Sequence, residues 1–587
     1  MNVLGLSFDY HDAAAALLVK GEIVAAAEEE RFSRKKHDAS YPARAVAFCL
    51  EQAGIGAGEL DAVVFYEFPF LKFERILDRA IRTFPKSLGY IKKASESWFR
   101  TDKFDVAARI SADLGIGRDK IHFVRHHASH AAAAFYCSPF EEATIVTLDG
   151  AGEFETATMG LGDAQGLRVL NRFCYPHSVG LFYSAMTAFL GFEVNEGEYK
   201  VMGMAGFGRP TQTDKIRKLV RYSGKRFRVD LSYFNFDTPA DSFAKPKLNE
   251  LLGTPRIPES PFDVGDPALP EVDDPVQTSS RHYADIAASL QRVTEDIILE
   301  IVKDAVMETG IRNVVLAGGV ALNSLANGRI IRELGYPLYV HPAAGDAGGA
   351  LGAALHHYVC THRQPRPKPL TRAFLGKGYD DALIRDTLER SAVSSVSYVD
   401  DDEELLARTA KLLQDGHVVG WFQDRFEWGP RALGARSILG NPAISGMRRT
   451  INEKIKFREP FRPFAPAVLA ERAADFFEMD APKTLSQPEN FMLAVHRVRP
   501  EMQAVIPSVT HVDGTARVQL LWPDQNRFRK LVEAFDRLTG IPVILNTSFN
   551  RRGEPIVASP QDALTTFSWS GMDYLVMSNF IIGKDVL

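Results

Sequence analysis

The feature that most constrains the fold is an apolar strand that ends in an aspartate, because the pattern occurs twice. Residues 3–8 have the composition of a buried strand and are followed by Asp9, and residues 144–148 are followed in the same way by Asp149. A turn at Lys20-Gly21 lies between two further apolar runs after the first strand, which predicts a hairpin. The repeat predicts a duplicated α/β architecture with a ligand cleft between the halves.

The residues after the first aspartate bear on the chemistry of such a fold. A strand that ends in aspartate and leads into a hairpin is the entry of the actin-like ATPase and sugar-kinase fold. Sugar kinases usually have small or hydroxyl residues after this aspartate, where they hold ATP phosphates. This chain has Tyr10, His11 and Asp12 instead, which are bulky and suited to acid/base chemistry. The segment therefore favours a reaction other than sugar phosphorylation.

Two histidines one helical turn apart form a candidate metal site. His126 and His130 open a helical segment, and their i, i+4 spacing projects both rings from one face. Two neutral imidazoles bind a metal when a third ligand comes from elsewhere, and Asp346 is the natural candidate because it lies at a strand-to-helix turn. Two alternatives stay open: Asp346 could be a helix N-cap, and in a chain with 15 histidines the pair could be two solvated side chains.

A diglycine, Gly318-Gly319, follows another apolar strand and precedes a helix. Glycines at this position let a nucleotide approach the backbone closely, and the amide groups at the helix start face it. The alternative is a tight strand-to-helix turn without a ligand. The diglycine is thus a candidate nucleotide contact.

Three segments of biased composition divide the chain. Residues 68–104 are rich in aromatic and basic residues, which favours a packed helical insertion over a cover for a hydrophobic acceptor. Residues 209–281 are polar and proline-rich, and they predict an irregular insertion or a lid. The alternating prolines of residues 361–371 predict an extended linker. We therefore expect an N-terminal domain of residues 1–360 and a C-terminal domain of residues 372–587.

Residues 425–462 depart from the charge balance of the chain, with nine Lys or Arg and three Asp or Glu. Prolines and glycines between these cations fix the backbone, which a merely solvated charged face does not need. Cationic side chains that the backbone holds in place bind phosphate or carboxylate. The alternative interpretation is a basic surface patch. Arg517 and residues 545–550 add further donors near the end of the chain.

Composition excludes several classes of protein. With 587 residues, 45% hydrophobic and 24% charged, the chain is expected to form roughly two to four globular domains. The net charge of -5 gives no global attraction to nucleic acid or to anionic membranes. The four cysteines are scattered, the N-terminus lacks the basic region of a signal peptide, and no apolar run is long enough for a membrane span. These features predict a cytoplasmic protein.

Taken together, the motifs resemble the O-carbamoyltransferases of antibiotic biosynthesis and nodulation. The resemblance covers nearly the whole chain, and several long motifs in one order are more specific than any short pattern. The motifs are Asp9-Tyr10-His11-Asp12, residues 28–33, residues 126–130, residues 196–203, residues 316–323, residues 428–437 and Arg462-Pro463-Phe464.

The resemblance implies an ASKHA-type (actin-like ATPase) domain over residues 1–360 and an α+β, YrdC-like domain over residues 372–587. It also implies a two-step reaction. The C-terminal domain would make carbamoyl-adenylate from carbamoyl phosphate and ATP, with Mg²⁺ accompanying the ATP, and the N-terminal domain would pass the carbamoyl group to an acceptor hydroxyl. An iron ion in the N-terminal domain would hold the adenylate, although Zn²⁺ or Mn²⁺ would also suit such ligands.

The resemblance further implies roles for individual residues. His11 is the expected general base for the acceptor hydroxyl, with Asp9 beside it. The expected ligands of carbamoyl phosphate and of the ATP phosphates are Arg431, Lys456, Arg462, Arg517, Asn546 and Ser548. The expected metal ligands are His126, His130 and Asp346, with Asp149 as a fourth ligand or an outer residue. Gly318, Gly319 and Asn323 are expected to line the adenylate.

Two other functions fit parts of the pattern. An RNA-modifying carbamoyl-adenylate enzyme would share both domains, but it would prefer a basic nucleic-acid surface. A non-catalytic nucleotide-binding regulator would not need both His11 and the cations expected to bind phosphate. The acceptor is expected to be a hydroxylated natural product, with no nucleic-acid or membrane partner, and a homodimer is compatible with the sequence. Residues 68–104 and 209–281 are expected to contact the acceptor, but their sequences do not indicate which acceptor it is.

Overall fold

The computed structural model describes the chain except for residues 86, 101–102, 237–242, 266–273, 392, 394, 460, 483–486, 524–525 and 585–587. The chain divides into two compact units. The first contains Met1–Asp9, Ala16–Ile23 and Gly54–Pro369, and the second contains Tyr10–Ala15, Val24–Ala53 and Leu370–Leu587. The second unit thus takes in two N-terminal segments besides the C-terminal part of the chain.

Two five-stranded sheets have the same strand order. The first sheet consists of β1 (Asn2–Ser7), β2 (Ala14–Val19), β3 (Glu22–Glu28), β4 (Ala62–Phe65) and β5 (Ile121–Phe123). The second consists of β6 (Ala143–Leu148), β7 (Glu155–Asp163) and β8 (Gly166–Cys174) and, after a separate hairpin of β9 (Val220–Ser223) and β10 (Arg226–Val229), β11 (Val314–Ala317) and β12 (Leu338–Val340). The orders are β3-β2-β1-β4-β5 and β8-β7-β6-β11-β12.

The pairing of the strands confirms the predicted duplication. In the first sheet β4 is parallel to both β1 and β5, and in the second β11 is parallel to both β6 and β12. The strands β6, β7 and β8 are successively antiparallel. In both halves the fourth and fifth strands therefore lie beyond the first, which is the duplicated ASKHA, or actin-like, topology. The central strands are continuous apolar runs because both of their faces are covered.

Helices cover these sheets. They span Pro69–Arg82, Leu88–Arg100, Val106–Leu114, His126–Cys137, Val179–Phe189, Glu198–Ala205, Thr213–Leu219, Pro246–Leu252, Pro275–Thr309, Ser324–Arg329 and Asp346–Leu355. The helices His126–Cys137 and Asp346–Leu355 cross where a Cβ atom at Gly352 would lie 1.8 Å from the carbonyl oxygen of Ser129. Only glycine permits this approach of the two backbones. The first turn of His126–Cys137 and the second turn of Asp346–Leu355 are therefore close neighbours.

The segments of biased composition have partly the expected structure. Residues 68–104 contain the two helices Pro69–Arg82 and Leu88–Arg100, which confirms the helical insertion. Residues 209–281 are more regular than predicted, since their described part contains two short helices, the β9–β10 hairpin and the start of the helix Pro275–Thr309. Their stretches 237–242 and 266–273 lie outside the described residues. Residues 363–371, all of them described, form neither helix nor strand.

The second unit contains an eight-stranded mixed sheet of order β13-β22-β21-β14-β15-β20-β16-β19. Its strands, with the β17–β18 hairpin, are β13 (Val396–Tyr398), β14 (Val419–Phe422), β15 (Arg436–Gly440), β16 (Ala465–Leu469), β17 (Val495–Arg497), β18 (Thr515–Arg517), β19 (Gln519–Leu521), β20 (Val543–Ser548), β21 (Tyr574–Met577) and β22 (Phe580–Gly583). Its helices are Glu30–Ser33, Ala43–Ala53, Asp381–Arg390, Asp402–Gln414, Met447–Thr450, Ala473–Phe476, Pro500–Gln503, Arg527–Thr539 and Pro560–Trp569.

Both faces of this sheet are buried. Trp421 and Leu439 pack into one apolar cluster, whereas their chain neighbours Phe422 and Ile438 pack into another. Successive residues of a strand point to opposite faces, so the two clusters are the two cores that sandwich the sheet. Among the described helices of the whole chain, none is both long and apolar enough to span a membrane.

Candidate functional site

Four donor side chains meet in the first unit, close to the crossing of the helices His126–Cys137 and Asp346–Leu355. Nε2 of His126 lies 3.1 Å from Nε2 of His130 and 3.1 Å from Oδ2 of Asp149. Oδ1 of Asp346 lies 3.5 Å from Nε2 of His130 and 3.7 Å from Nε2 of His126. Gly345, not Asp346, occupies the N-cap position of its helix. All four residues that the sequence nominated as metal ligands therefore belong to one cluster.

The spacing of these donors suits a shared metal ion. Two ligand atoms that each lie about 2.1 Å from one ion are about 3.0 Å apart at a right angle and about 3.4 Å apart at a tetrahedral angle. The two separations of 3.1 Å fall in this range, and the two to Asp346, 3.5 and 3.7 Å, lie slightly above it. Two imidazoles and two carboxylates are ligands that iron, manganese and zinc all accept. The residues present therefore fit a transition-metal ion.

The pKa shifts of two residues in the cluster also favour a bound cation. Burial lowers the pKa of His126, but Asp346 and the hydrogen bond to Asp149 outweigh it and raise that pKa to about 9. Burial raises the pKa of Asp149, but the hydrogen bond with His126 and the charge of His130 hold it well below its usual range. The shifts of His126 and Asp149 thus indicate surroundings that favour a positive charge, and a metal cation is one such charge.

Neighbouring residues fix the histidines in place. Glu153 accepts a hydrogen bond from the backbone N–H of His126 at 3.0 Å. Glu67, which is paired with Lys72 at 2.8 Å, lies 3.8 Å from Nδ1 of His126. The middle histidine of the motif, His127, is directed elsewhere, since its ring bonds to the hydroxyl of Thr147 and to a backbone carbonyl. Burial lowers the pKa of His127 to about 3, so it is a neutral core residue.

The diglycine lies beside this cluster. Gly318 has a φ of 89° and follows β11, and a Cβ there would lie 2.2 Å from the carbonyl oxygen of Leu148. The N–H of Gly319 donates to Oδ1 of Asp149 at 2.9 Å. Asn323 is the N-cap of the next helix through its Oδ1 and also bonds to Gln291. Two predicted adenylate contacts thus border the His/Asp cluster, whereas the amide of Asn323 is already engaged in the fold.

In the second unit, Asp12 joins two imidazoles. Nδ1 of His11 lies 2.9 Å from Oδ2 of Asp12, and Nδ1 of His37 lies 2.7 Å from Oδ1. The backbone N–H of His37 donates to Glu30 at 2.9 Å. Asp12 and His37 have φ values of 50° and 53°, a left-handed conformation that non-glycine residues rarely adopt. Such strained residues cluster at functional sites.

The charges of this group reinforce one another. Burial raises the pKa of Asp12, but the hydrogen bonds from His11 and His37 outweigh it and hold that pKa well below its usual range. Burial lowers the pKa of His37, but Asp12 outweighs it and raises that pKa. Asp12, Glu30 and His37 are also near enough to share a metal ion. However, 2.7 Å between Asp12 and His37 is a hydrogen-bond distance and is shorter than two donors around one ion require.

Asp9, which the sequence placed beside His11, has its own partners in the first unit. Its Oδ2 lies 2.6 Å from Nη1 of Arg109, and its backbone carbonyl accepts a hydrogen bond from Lys103 at 2.6 Å. The carboxylate that bonds to His11 belongs to Asp12 instead. Asp9 also has a positive φ of 78°, so the chain turns sharply between the two aspartates.

Lys456 is the most deeply buried of the predicted cationic phosphate ligands, with 2% of its surface exposed. Its Nζ donates to the carbonyl and the hydroxyl of Ser548 and, at 2.8 Å, to Oδ1 of Asn550. Burial and the charges of Arg458 and Arg462 hold the pKa of Lys456 well below its usual range. An ammonium group among like charges is stabilised when an anion binds.

Arg517 belongs to the same electrostatic group. Burial and the charges of Arg431 and Arg458 hold its pKa well below the usual range. Nε of Arg517 is buried and has no hydrogen-bond partner among the described residues. The charge of Arg517, disfavoured by two neighbouring guanidinium groups, would be stabilised by an anion with several acceptor oxygens, such as phosphate.

The remaining predicted ligands connect to these cations. Nδ2 of Asn546 donates to the carbonyl of Ala432, next to Arg431, and at 2.7 Å to Gln519. Oδ1 of Asn546 is buried without a hydrogen-bond partner in the described part of the chain. Arg462 lies 3.4 Å from Glu459 through Nη1. Through shared neighbours such as Arg458 and Ser548, the predicted phosphate ligands are thus connected within the described part of the second unit.

Sequence reasoning missed several residues of these sites. Arg458 lies inside the basic segment, so its position could have nominated it, and Asn550 follows Ser548 by two residues. Asp12 is part of a quoted motif but was not assigned a role. His37 gave no sequence signal, because nothing in its surroundings distinguishes it from a solvated histidine.

Comparison with known proteins gives matches along most of the chain. Residues 2–355 match the family model described as carbamoyltransferase N-terminus, and residues 410–584 match the one described as carbamoyltransferase C-terminus. The chain is 42% identical to protein sll1178 of Synechocystis sp., over 99% of this chain and 97% of the relative. It is 34% identical to nodulation protein NolNO of Sinorhizobium fredii, over 98% of this chain and 79% of the relative.

The matches to solved structures cover about three fifths of the chain. Component A of (R)-2-hydroxyglutaryl-CoA dehydratase from Acidaminococcus fermentans is 16% identical, with a TM-score of 0.32 over 61% of this chain and 97% of that chain. HypF of T. kodakarensis is 14% identical, with a TM-score of 0.32 over 62% of this chain and 48% of that chain.

Proposed function

Because the chain belongs to the carbamoyltransferase family, we propose that it is an ATP-dependent O-carbamoyltransferase that acts through carbamoyl-adenylate. The observation that carries the proposal is the presence of two clusters with different chemistry. The second unit contains cations that suit phosphates, and the first contains a His/Asp cluster that suits a metal. Carbamoyl transfer is the chemistry of the family, and ATP, carbamoyl phosphate and a hydroxyl acceptor are the proposed substrates.

The first half-reaction would take place at the anion site. Carbamoyl phosphate and water give carbamate and inorganic phosphate, and a carbamate oxygen then attacks the α-phosphorus of ATP while pyrophosphate leaves with Mg²⁺. Lys456, Arg431 and Arg517 would hold the phosphoryl groups, since concentrated positive charge stabilises the charge that develops on their oxygens. Asn546 and Ser548 would orient the substrates through hydrogen bonds. The products of this step are carbamoyl-adenylate, phosphate and pyrophosphate.

The metal would be held by His126, His130, Asp149 and Asp346, for which we propose iron. When bound, such an ion polarises oxygen atoms of the adenylate as a Lewis acid. Gly318 and Gly319 would let the nucleotide approach the backbone beside these residues. Water would be a competitor at this site, because it would hydrolyse the mixed anhydride.

The second half-reaction needs a base for the acceptor hydroxyl, and His11 is the proposed residue. The hydroxyl oxygen attacks the carbamoyl carbon, the bond to AMP breaks, and the hydroxyl proton passes to the imidazole. Asp12 supports this role, because a carboxylate bonded to Nδ1 orients the ring and stabilises the imidazolium that forms. Asp9, which is bonded to Arg109, would stabilise the conformation of the loop and would not be a hydrogen-bond partner of His11.

The proposal is tested by measuring pyrophosphate release with carbamoyl phosphate and ATP in the absence of any acceptor. We expect release that depends on both substrates, followed by carbamoyl transfer when a panel of hydroxylated natural products is supplied. Pyrophosphate release that is independent of carbamoyl phosphate would overturn the proposal. Stoichiometric tRNA in the purified protein and transfer to that tRNA would favour the RNA-modifying alternative.

A further inference from the structure

Gly429 opens the loop that carries Arg431, and both of its peptide groups are held by one buried ion pair. Its N–H donates to Oε1 of Glu28 at 2.8 Å, and its carbonyl accepts from Nη2 of Arg31 at 2.7 Å. Nε of Arg31 lies 3.5 Å from Oε2 of Glu28. Gly429 has a φ of 107°, which side chains rarely permit, so the direction of the loop is set at this residue.

The ion pair has few other partners. Glu28 is 5% exposed and Arg31 is 1% exposed. Oε2 of Glu28 and Nε and Nη1 of Arg31 have no hydrogen-bond partner within the described residues. A buried pair costs desolvation, and for that reason it contributes little to stability. Its hydrogen bonds are instead directed to the backbone of Gly429, which indicates a role in fixing this loop.

A second carboxylate holds the far end of the same loop. Oε1 of Glu427, which is fully buried, accepts hydrogen bonds from the backbone N–H groups of Leu433, Ala435 and Arg436. The loop is therefore fixed at its start by Glu28 and Arg31 and at its end by Glu427. Arg431 lies between these two anchors, two residues after Gly429.

We propose that Glu28 and Arg31 are positioning residues that set the place of the Arg431 guanidinium for a phosphate group. The inference rests on the proposed function, in which Arg431 is a phosphate ligand. The pair acts through the peptide groups of Gly429. Loss of either member loosens the loop and lets Arg431 move relative to Lys456 and Arg517, so phosphate binds less tightly.

The variants Arg31→Lys and Glu28→Gln test this role. Lysine keeps the charge but cannot reach both Glu28 and the carbonyl of Gly429 with a planar fork. Glutamine keeps an oxygen for the N–H of Gly429 but loses the charge that orients Arg31. In acceptor-free pyrophosphate release we expect each to raise the KM for carbamoyl phosphate roughly tenfold, with kcat within about twofold of wild type.

Arg44→Ala is the matched control. Arg44 lies in the same N-terminal segment and is exposed, and its Nη1 donates to the carbonyl of Phe32 within that segment. We expect Arg44→Ala to change neither the KM for carbamoyl phosphate nor kcat. In the Arg431→Ala background, Arg31→Lys should change the affinity for inorganic phosphate less than twofold, because two changes that act through one group are not additive.

Hydrogen exchange gives a readout that does not depend on activity. The peptide of residues 426–436 should exchange faster in Arg31→Lys and Glu28→Gln than in wild type, while peptides from the rest of the second unit stay unchanged. Unchanged exchange in this peptide, or faster exchange with an unaltered KM, would overturn the inference. Faster exchange throughout the unit would also overturn it, because the pair would then be a general structural element.

A failure of the proposed function is recognised separately. If the wild-type protein releases no pyrophosphate with carbamoyl phosphate and ATP, the proposed function is wrong. The inference is then decided by calorimetric titration with inorganic phosphate. Weaker binding by roughly tenfold in Arg31→Lys supports it, and equal binding overturns it.

Discussion

Nδ1 of His11 lies 2.9 Å from Oδ2 of Asp12, and this relationship sets the tautomer of the imidazole. An ionised carboxylate only accepts hydrogen bonds, so Nδ1 of a neutral His11 carries the proton and Nε2 carries the lone pair. Nε2 is therefore the atom that would take a proton from an acceptor hydroxyl. The adjacent residue in the chain thus provides the orientation that a general base requires.

Replacing Asp12 with asparagine is expected to separate the two half-reactions. The amide cannot stabilise an imidazolium, so carbamoyl transfer should fall by roughly 10²–10⁴-fold while pyrophosphate release stays near wild type. Mass spectrometry of the acceptor and a pyrophosphate assay measure the two steps. His11→Ala should show the same division, and the double variant should lose little more. An equal loss in both steps would remove His11 and Asp12 from the transfer chemistry.

Replacing His130 with alanine is expected to abolish metal binding. The variant removes one of two imidazole ligands, and elemental analysis should show that bound metal falls from near stoichiometric to near none. Pyrophosphate release should persist, because the anion site belongs to the second unit. His362→Ala changes an exposed histidine of the first unit and is the control. Metal retained at the wild-type level in His130→Ala would contradict the assignment of the cluster.

Pyrophosphate is expected to stabilise the wild-type protein against heat. A ligand at about a hundred times its Kd adds about 2.7 kcal/mol to the free energy of unfolding. Lys456→Met should lose this stabilisation, whereas Lys454→Met, which changes an exposed residue of the same turn, should keep it. Differential scanning fluorimetry with and without pyrophosphate measures the shift in Tm. The same shift in both variants would exclude Lys456 as a phosphate ligand.

The stability that His37 provides is expected to depend on pH. Its pKa is raised by Asp12 against the effect of burial, so its contribution is complete below about pH 6.5, the ordinary pKa of histidine, and is lost as the pH rises through the folded value. The pKa of Asp12 is held below its ordinary value, so its contribution is present above about pH 4 and declines as the pH falls further.

The measurement is the difference in Tm between wild type and His37→Gln across the pH range. The difference should be largest between about pH 4 and pH 6.5 and should shrink at alkaline pH. Both side chains are about one-third exposed, so solvent screening keeps the effect modest. A difference that grows with pH would show that His37 is neutral in the folded protein.

The elements that the sequence predicted well are those with local signals. The repeated strand and aspartate predicted the duplicated sheets, because a buried strand is a short apolar run that ends at a polar residue. The spacing of His126 and His130 predicted two rings on one face, and helix geometry alone fixes that relation. Asp346 could be nominated because the ends of neighbouring parallel strands lie at one edge of a sheet.

The relations that escaped prediction depend on backbone turns and distant contacts. Asp9 and Asp12 contact different partners because the backbone turns at this segment. Both residues have positive φ values, which the residue types do not reveal. His37 reaches Asp12 across 25 residues of chain, and no periodicity links them. Likewise, nothing in the charge pattern indicates that Arg31 is fully buried beneath Gly429.

The composition of the second unit has a consequence for how the protein is made. Val24–Ala53 leaves the ribosome before any of Leu370–Leu587, although all of these residues belong to one compact unit. At about 5–20 residues per second, the early segment waits roughly half a minute to two minutes for its partner strands. During translation Phe48 of the helix Ala43–Ala53 lacks its contact with Phe426, so this stretch is where a nascent chain would need a chaperone.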